Sequence, residues 1–262
     1  MGIVNVTPDS FSDGGRFFDR GAALDHARRL IADGADLLDL GGESTRPGAE
    51  PVSNEEELHR VIPLIEAIRL ESEIPLSIDT IKPGVARAGI AAGATIWNDV
   101  AALGYAPESL ETAAALGCEV VLMHMQGEPR TMQAAPHYED VVGEVSDFLL
   151  ARAEAAIAAG VARDRILLDP GIGFGKALAH NLALLARLET FTASGYRVLL
   201  GASRKRFIGV LDRPAAEASD RLGGSLAAAL RAAEAGCAMV RVHDVRETVQ
   251  ALTIQAAIAA AR

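Results

Sequence analysis

Short runs of apolar residues alternate along this chain with longer stretches in which apolar positions recur at helical spacing. The short runs fall at 2–6, 37–40, 76–78, 95–97, 120–123, 166–168, 198–200 and 239–242, and each predicts a strand. Between them, segments rich in Ala, Leu, Glu and Arg around 20–33, 55–71, 83–92, 107–116, 138–159, 180–188, 219–235 and 245–261 predict amphipathic helices. A helix after every strand supplies the crossover that a parallel pair requires. Eight such units in 262 residues come to about 33 residues each, close to the ~30 of a βαβ step.

The punctuation repeats with the pattern. Gly34, Gly93, Gly117, Gly160, Gly195 and Gly236 stand where a helical period stops, and there glycine can take the left-handed conformation that closes a last turn. Their spacing is irregular, so the architecture repeats and the sequence does not. No Pro/Ser linker or charge block divides the chain. The expectation is an α/β protein, one (β/α)8 TIM barrel domain over 1–262, in preference to a doubly wound sheet.

Composition narrows the function classes. Half the residues are hydrophobic and 23% charged, which gives a sizeable core and excludes wholesale disorder. No window approaches the ~20 apolar residues of a membrane span. The first residues lack the basic region and apolar run of a secretion signal. A cytoplasmic protein with no membrane partner is expected. A net charge of −10 argues against nucleic acid, which calls for a basic stripe, while an anionic small molecule would need a local cationic cluster. Cys118 and Cys237 are too few for a disulfide framework or a thiolate metal site, and read as packed free thiols.

In a barrel of this kind, chemistry sits at the C-terminal ends of the strands. Reading each run to its end gives Asn5 and Thr7; Asp39 with Glu43-Ser44-Thr45-Arg46; Asp79-Thr80; Asn98-Asp99; His124; Asp169; Ser203-Arg204-Lys205-Arg206; and Arg241 with His243-Asp244. The loops entering the strands are mostly Gly, Ala and scattered charge. Asp99, Thr80 and Asp244 lie near helix starts and suit capping as well as function. Asp39, inside its run, suits a satisfied core carboxylate. So many polar ends on one rim nevertheless predict a site.

Three apparent motifs fail. The segment 170–177, PGIGFGKA, has Pro170 and Ala177 where a P-loop needs Gly and Ser or Thr, and it misses G-x-G-x-x-G by one position. It reads as a flexible loop whose backbone and Phe174 close over a ligand. Asp9 to Gly14 hints at a calcium loop, but Arg20 replaces the bidentate Glu. Of six histidines none pairs at zinc spacing, and only His243 and His124 fall on the rim.

In their order, these blocks resemble the dihydropteroate synthase family over essentially the whole chain. They are MGIVNVTPDSFSDGG at 1–15, DLGGESTRPG at 39–48, SIDT at 77–80, NDV at 98–100, MHMQG at 123–127 with Pro129, DPGIGFGK at 169–176, GASRK at 201–205 and RVHD at 241–244. The resemblance implies condensation of a 6-hydroxymethyl-7,8-dihydropterin pyrophosphate with 4-aminobenzoate, with Mg2+, a homodimer and sulfonamides as inhibitors. It implies that Asp169 and Asn98 hold the pterin edge, that Asp79 and Lys205 add ring contacts, and that Met123 and Trp97 form walls. Asn5 would carry the metal, with Thr45, Arg46, Arg241 and His243 around the phosphates. Ser203, with Arg204 nearby, would take the aminobenzoate carboxylate, while Phe174 and Pro47 grip its ring. Asp79, Lys205, Arg241 and Arg46 are the implied catalytic set.

The implied reaction is dissociative: pyrophosphate leaves, and Asp79 stabilises a pterin methylene cation that the arylamine attacks. It needs no protein nucleophile, in keeping with the lack of a Ser-His-Asp or Cys-His set. Segments 7–15 and 44–48 resemble the family's mobile loops. The family's N-terminal β-hairpin is expected to be lacking, since Met1 opens directly on the first strand. Two alternatives are a non-catalytic pterin-binding paralogue and a methyltetrahydrofolate methyltransferase type of barrel. The latter leaves Ser203-Arg204-Lys205 and Arg241/His243 without a role.

Overall fold

The computed structural model describes residues 1–6, 20–44, 49–128 and 131–261. Eight strands follow one another in sheet order: β1 Gly2–Asn5, β2 Leu38–Gly41, β3 Leu76–Asp79, β4 Ile96–Asp99, β5 Glu119–Met123, β6 Ile166–Asp169, β7 Arg197–Leu200 and β8 Met239–Val240. Every neighbouring pair is parallel. A parallel bridge between Gly2 and Val242 closes the ring, with the Ile3 amide donating to the Val242 carbonyl at 3.0 Å and the Val242 amide to the Met1 carbonyl at 2.9 Å. Closure leaves no free sheet edge.

The crossovers are α1 Arg20–Ala32, α2 Asn54–Arg69, α3 Pro83–Ala91, α4 Ser109–Leu116, α5 Val141–Ala159, α6 Leu178–Ala186, α7 Glu189–Thr192, α8 Arg206–Leu211, α9 Leu222–Glu234 and α10 Val245–Ala260. None of the described helices is long and apolar enough to cross a membrane. Every predicted run forms a strand. Several ladders continue past the apolar run to Asp79, Asp99 and Asp169, because backbone pairing does not require an apolar side chain. The short α7 and α8 lie outside the predicted helical segments; four and six residues carry too little period to register. All six punctuating glycines have positive φ, from 57° at Gly117 to 118° at Gly93.

Strand alternation builds the interior in layers. Leu38, Leu40, Ile78, Trp97, Leu122 and Leu168 face outward and pack in the clusters beneath the helices. Met1, Leu37, Ile96, Val121, Leu167 and Leu199, with Met239 against them, form a separate cluster that plugs the inside. Two residues further along their strands, on the same inward face, come Asn98, Met123, Asp169, Gly201 and Arg241. An apolar plug thus turns into a polar floor within one step of the pleat. Cys118 and Cys237 are free thiols, the first buried in the outer core and the second packed against it.

Candidate active site

Arg241, just beyond β8, organises the floor. Its Nε donates to Asp39 Oδ2 at 2.5 Å and its Nη2 to Asp79 Oδ2 at 2.8 Å, so one guanidinium bridges carboxylates of β2 and β3. Asn98 Nδ2 donates to the same Asp39 oxygen at 3.2 Å. Asp39 is completely buried, while the side chains of Asp79 and Arg241 keep about a tenth and a fifth of their exposure. Burial works to lower the basicity of Arg241, but the Asp39 and Asp79 charges outweigh it and hold the guanidinium firmly protonated. Desolvation pushes the Asp79 carboxyl up to about 7 despite Arg241. That carboxyl therefore titrates near neutrality.

Asp169 ends β6 opposite Met123 of β5. Its Oδ1 accepts the Gly171 amide at 2.7 Å, which fixes the carboxylate plane and leaves Oδ2 turned toward Gly201. Burial raises its pKa to about 6, against the pull of that hydrogen bond and of Lys205 and Lys176. Gly41 and Gly201 stand at inward positions where a Cβ would rest 3.5 Å from Asp79 Oδ2 and 3.6 Å from Asp169 Oδ2. Their missing side chains keep the approach to both carboxylates open for a flat ligand.

Lys205 lies over the loop that follows β6. Its Nζ sits 3.9 Å from the centroid of the Phe174 ring, a cation–π contact. A Cβ on Gly173 would come within 3.2 Å of Lys205 Cδ. Phe174 is buried with Val100, Met123 and Met132. Ser203 and His243 meet at 3.0 Å through Oγ and Nδ1, and the His243 amide also donates to Ser203 Oγ. Burial first, then Arg241, lowers the His243 pKa to about 3, so the ring is neutral and serves as a hydrogen-bonding group. Asn5 ends β1 beside Gly41, partly exposed on the same rim. Thr45, Arg46 and Pro47, and most of segments 7–15 and 44–48, lie outside the described residues.

Several expectations need correcting. Trp97 is not a wall of the site: it neighbours inward-facing Asn98, so alternation turns it outward, where Nε1 donates to the Thr80 carbonyl at 2.7 Å. His124 is likewise turned out of the barrel, edge-on to Phe148, with its Nδ1 2.9 Å from Lys176 Nζ. Arg204 is engaged elsewhere, paired through both Nε and Nη2 with Asp244. Asp99 takes the local capping role its position suits and needs no correction, accepting the Ala101 and Leu103 amides at 2.7 and 2.9 Å. The loop at 170–175 is not loose. Gly171, Gly173 and Gly175 all have positive φ, and the backbone is tied by Gln133, Tyr138 and Asn181. A Cβ on Gly171 would stand 2.0 Å from the His124 carbonyl oxygen.

Two supporting groups escaped sequence reasoning. Lys176 donates to the His124 and Phe174 carbonyls and meets the His124 ring, pinning the β6 loop to the end of β5. Lys82 binds Glu43, Glu57 and the Val52 carbonyl at 2.5, 2.6 and 2.8 Å, tying together the two ends of the segment after β2. A signal for the second existed: Glu57 falls on the apolar stripe of α2 with Val61, Leu64, Ile65 and Ile68. A carboxylate there must be buried, and a buried carboxylate must find a cation.

The arrangement combines a donor-binding carboxylate, an amide, a guanidinium with spare N–H groups and a lysine over an aromatic ring, all at strand ends. It defines a (β/α)8-barrel enzyme with a polar floor suited to a flat, donor-rich heterocycle bearing an anion. The sequence matches the family described as pterin binding enzyme over residues 1–243, and the chain belongs to that family. It is 50% identical over 262 residues to dihydropteroate synthase of Escherichia coli strain K12, covering all of this chain and 92% of that protein. Among solved structures, dihydropteroate synthase of Xanthomonas albilineans with 4-aminobenzoic acid is 53% identical, with a TM-score of 0.93 over 99% of this chain and 92% of that one. The same enzyme in complex with 7,8-dihydropteroate superposes with a TM-score of 0.89 at 50% identity and the same coverage.

Proposed function

We propose that this chain condenses 6-hydroxymethyl-7,8-dihydropterin pyrophosphate with 4-aminobenzoate to give 7,8-dihydropteroate and pyrophosphate. The observation that carries the reading is the Arg241 bridge between Asp39 and Asp79 beside Asp169. It sets a cation where an anionic leaving group would depart and carboxylates where a cationic ring would be left. Asp169 Oδ2 and Asn98 take the hydrogen-bonding edge of the pterin, since a carboxylate accepts two N–H donors and an amide both donates and accepts. Met123 and the floor beneath it bound the ring plane.

Of the five N–H groups of Arg241, two are committed to carboxylates, and the others can bind pyrophosphate oxygens together with neutral His243. As the methylene C–O bond breaks, its electron pair goes to the pyrophosphate and positive charge spreads over the pterin. Ionised Asp79 stabilises that charge, an interaction stronger in the transition state than in the ground state. The arylamine nitrogen then bonds to the methylene carbon and releases a proton. Ser203 receives the aminobenzoate carboxylate and Phe174 its ring; Thr45, Arg46 and Pro47 complete the phosphate and aminobenzoate contacts in this reading.

Asn5 would hold Mg2+. Among the described residues no three His, Cys, Asp or Glu side chains converge as a metal cage. A lone hard oxygen on the rim suits an ion that keeps waters and takes its other ligands from phosphate. When bound, Mg2+ supplies charge neutralisation at the leaving pyrophosphate. The reading also places the chain in the cytoplasm as a homodimer, supported by Ile254 and Ile258, exposed one turn apart on α10. Pyrophosphate release is the test: turnover should need both substrates and should vanish with EDTA and return with Mg2+. Pterin binding without turnover under those conditions overturns the proposal.

A further inference from the structure

Asp39 touches no solvent, and a group with no exposed surface cannot touch substrate. Its Oδ2 nevertheless accepts from two residues of the floor at once, Arg241 Nε from one side and Asn98 Nδ2 from the other. These partners come from β8 and β4, strands not adjacent in the barrel. We propose that Asp39 is a positioning residue that sets both the direction of the Arg241 guanidinium and the sense of the Asn98 amide. This deepens the reading above and rests on it.

An Asn side chain can be turned over at no cost unless something distinguishes its oxygen from its nitrogen. A carboxylate does so absolutely, because it only accepts. With Nδ2 bound to Asp39, Asn98 must present Oδ1 and its remaining N–H to the ligand in one order and not the other. The ligand edge must then carry the complementary donor and acceptor order. The same oxygen, by taking Nε, swings the terminal nitrogens of Arg241 toward Asp79 and the open mouth. Discrimination among flat heterocycles is therefore set beneath the floor, by an atom the ligand never meets. A hydrogen bond to a charged group contributes about 1.5–3 kcal/mol, so losing the orientation corresponds to about ten- to hundredfold in affinity.

Two substitutions that keep the number and branching of side-chain heavy atoms separate this role from packing and from charge. Asp39→Leu removes the acceptor; Asp39→Asn keeps an oxygen that can accept from both partners but removes the charge. The readouts are binding of 6-hydroxymethylpterin, which lacks pyrophosphate, and the separate kcat and KM for the full reaction. In Asp39→Leu the pterin should bind at least about tenfold more weakly and kcat should fall as well, while Asp39→Asn should stay within about threefold of wild type on both. Equal loss in both variants would assign the role to charge, and no loss in Asp39→Leu would assign it to packing; either overturns the proposal.

A measurement on the wild type alone covers the case in which Asp39→Leu does not fold. Hydrogen exchange followed by NMR should find an Asn98 Nδ2 proton at least about tenfold slower than those of the exposed Asn54 side chain. Equal rates would refute the anchor. Failure of the wild type to bind 6-hydroxymethylpterin would instead strike the proposed reaction, and the exchange measurement would stand apart from it.

Discussion

Replacing Arg241 by alanine removes the cation that bridges two carboxylates of the floor, Asp39 with no exposed side-chain surface and Asp79 with about a tenth of its own. Among the described residues Asp39 then loses its 2.5 Å partner and keeps only the neutral Asn98 amide, with Oδ1 buried and unpaired; Asp79 loses its 2.8 Å partner. Breaking a buried ion pair by deleting one member costs about 3–5 kcal/mol, because the other charge is stranded away from water. The variant should be destabilised by an amount of that order near neutral pH.

The cost should also depend on pH, in a definite direction. Asp79 already has a pKa of about 7 in the folded enzyme, raised chiefly by burial and restrained by Arg241; without Arg241 it rises further. Its unfolded value is about 3.9. Between the two values the folded state binds more protons than the unfolded, so stability falls as pH rises through that window. In the variant the fall continues to higher pH, so the gap between the two proteins widens as pH passes about 7. Urea unfolding of both at about pH 5 and about pH 8 measures this. A gap below about 1 kcal/mol, the scale of an exposed pair, or one equal at both pH values, would refute the reasoning.

Three further outcomes follow from the same geometry. Because the role proposed for Asp79 requires its ionised form, and it titrates at about 7 with Asp169 at about 6, kcat/KM should climb with pH over roughly 6–8; a flat profile for pyrophosphate release would contradict that role. Asp169→Ala removes an acceptor of two charge-assisted bonds and should weaken 6-hydroxymethylpterin binding by roughly a hundredfold or more, as titration calorimetry would read; unchanged affinity would sink the ring anchor. Gly171→Ala and Gly236→Ala share a positive φ, 68° and 78°, but only the first drives a Cβ to 2.0 Å from a carbonyl, while the second meets nothing within 4 Å. The second should cost about 1–2 kcal/mol from backbone conformation alone, and the first distinctly more; equal melting temperatures would refute the close packing of the β6 loop.

The barrel was legible in the sequence because each of its determinants is local. Alternation of short apolar runs with amphipathic segments names the strands and helices, and the glycine past six of the described helices is favoured by one residue's positive φ. The residues of the rim were legible for a related reason: a strand that is apolar until its last inward position, as at Asn98 and Asp169, leaves a polar group where the fold must open. Which side of the wall a rim residue faces was lost only where two polar or aromatic neighbours compete. Trp97 and Asn98 cannot both face inward, and His124 follows Met123. The period of two settles each pair once the strand is known.

Partnership was decided by the tertiary structure alone. Nothing near position 39 announces that its carboxylate will meet Arg241 from 202 residues away and Asn98 from 59. The pairing exists only because closing the ring brings β8 within reach of β2. Nor does the sequence around Lys176 or Lys82 show that these lysines are buried and spent on local carbonyls and carboxylates. Local periodicity fixes which residues lie on the inner face. Long-range closure fixes which charges share a few ångströms of low-dielectric space, and from that come the ionisation of Asp79, the neutrality of His243 and the orientation of Arg241.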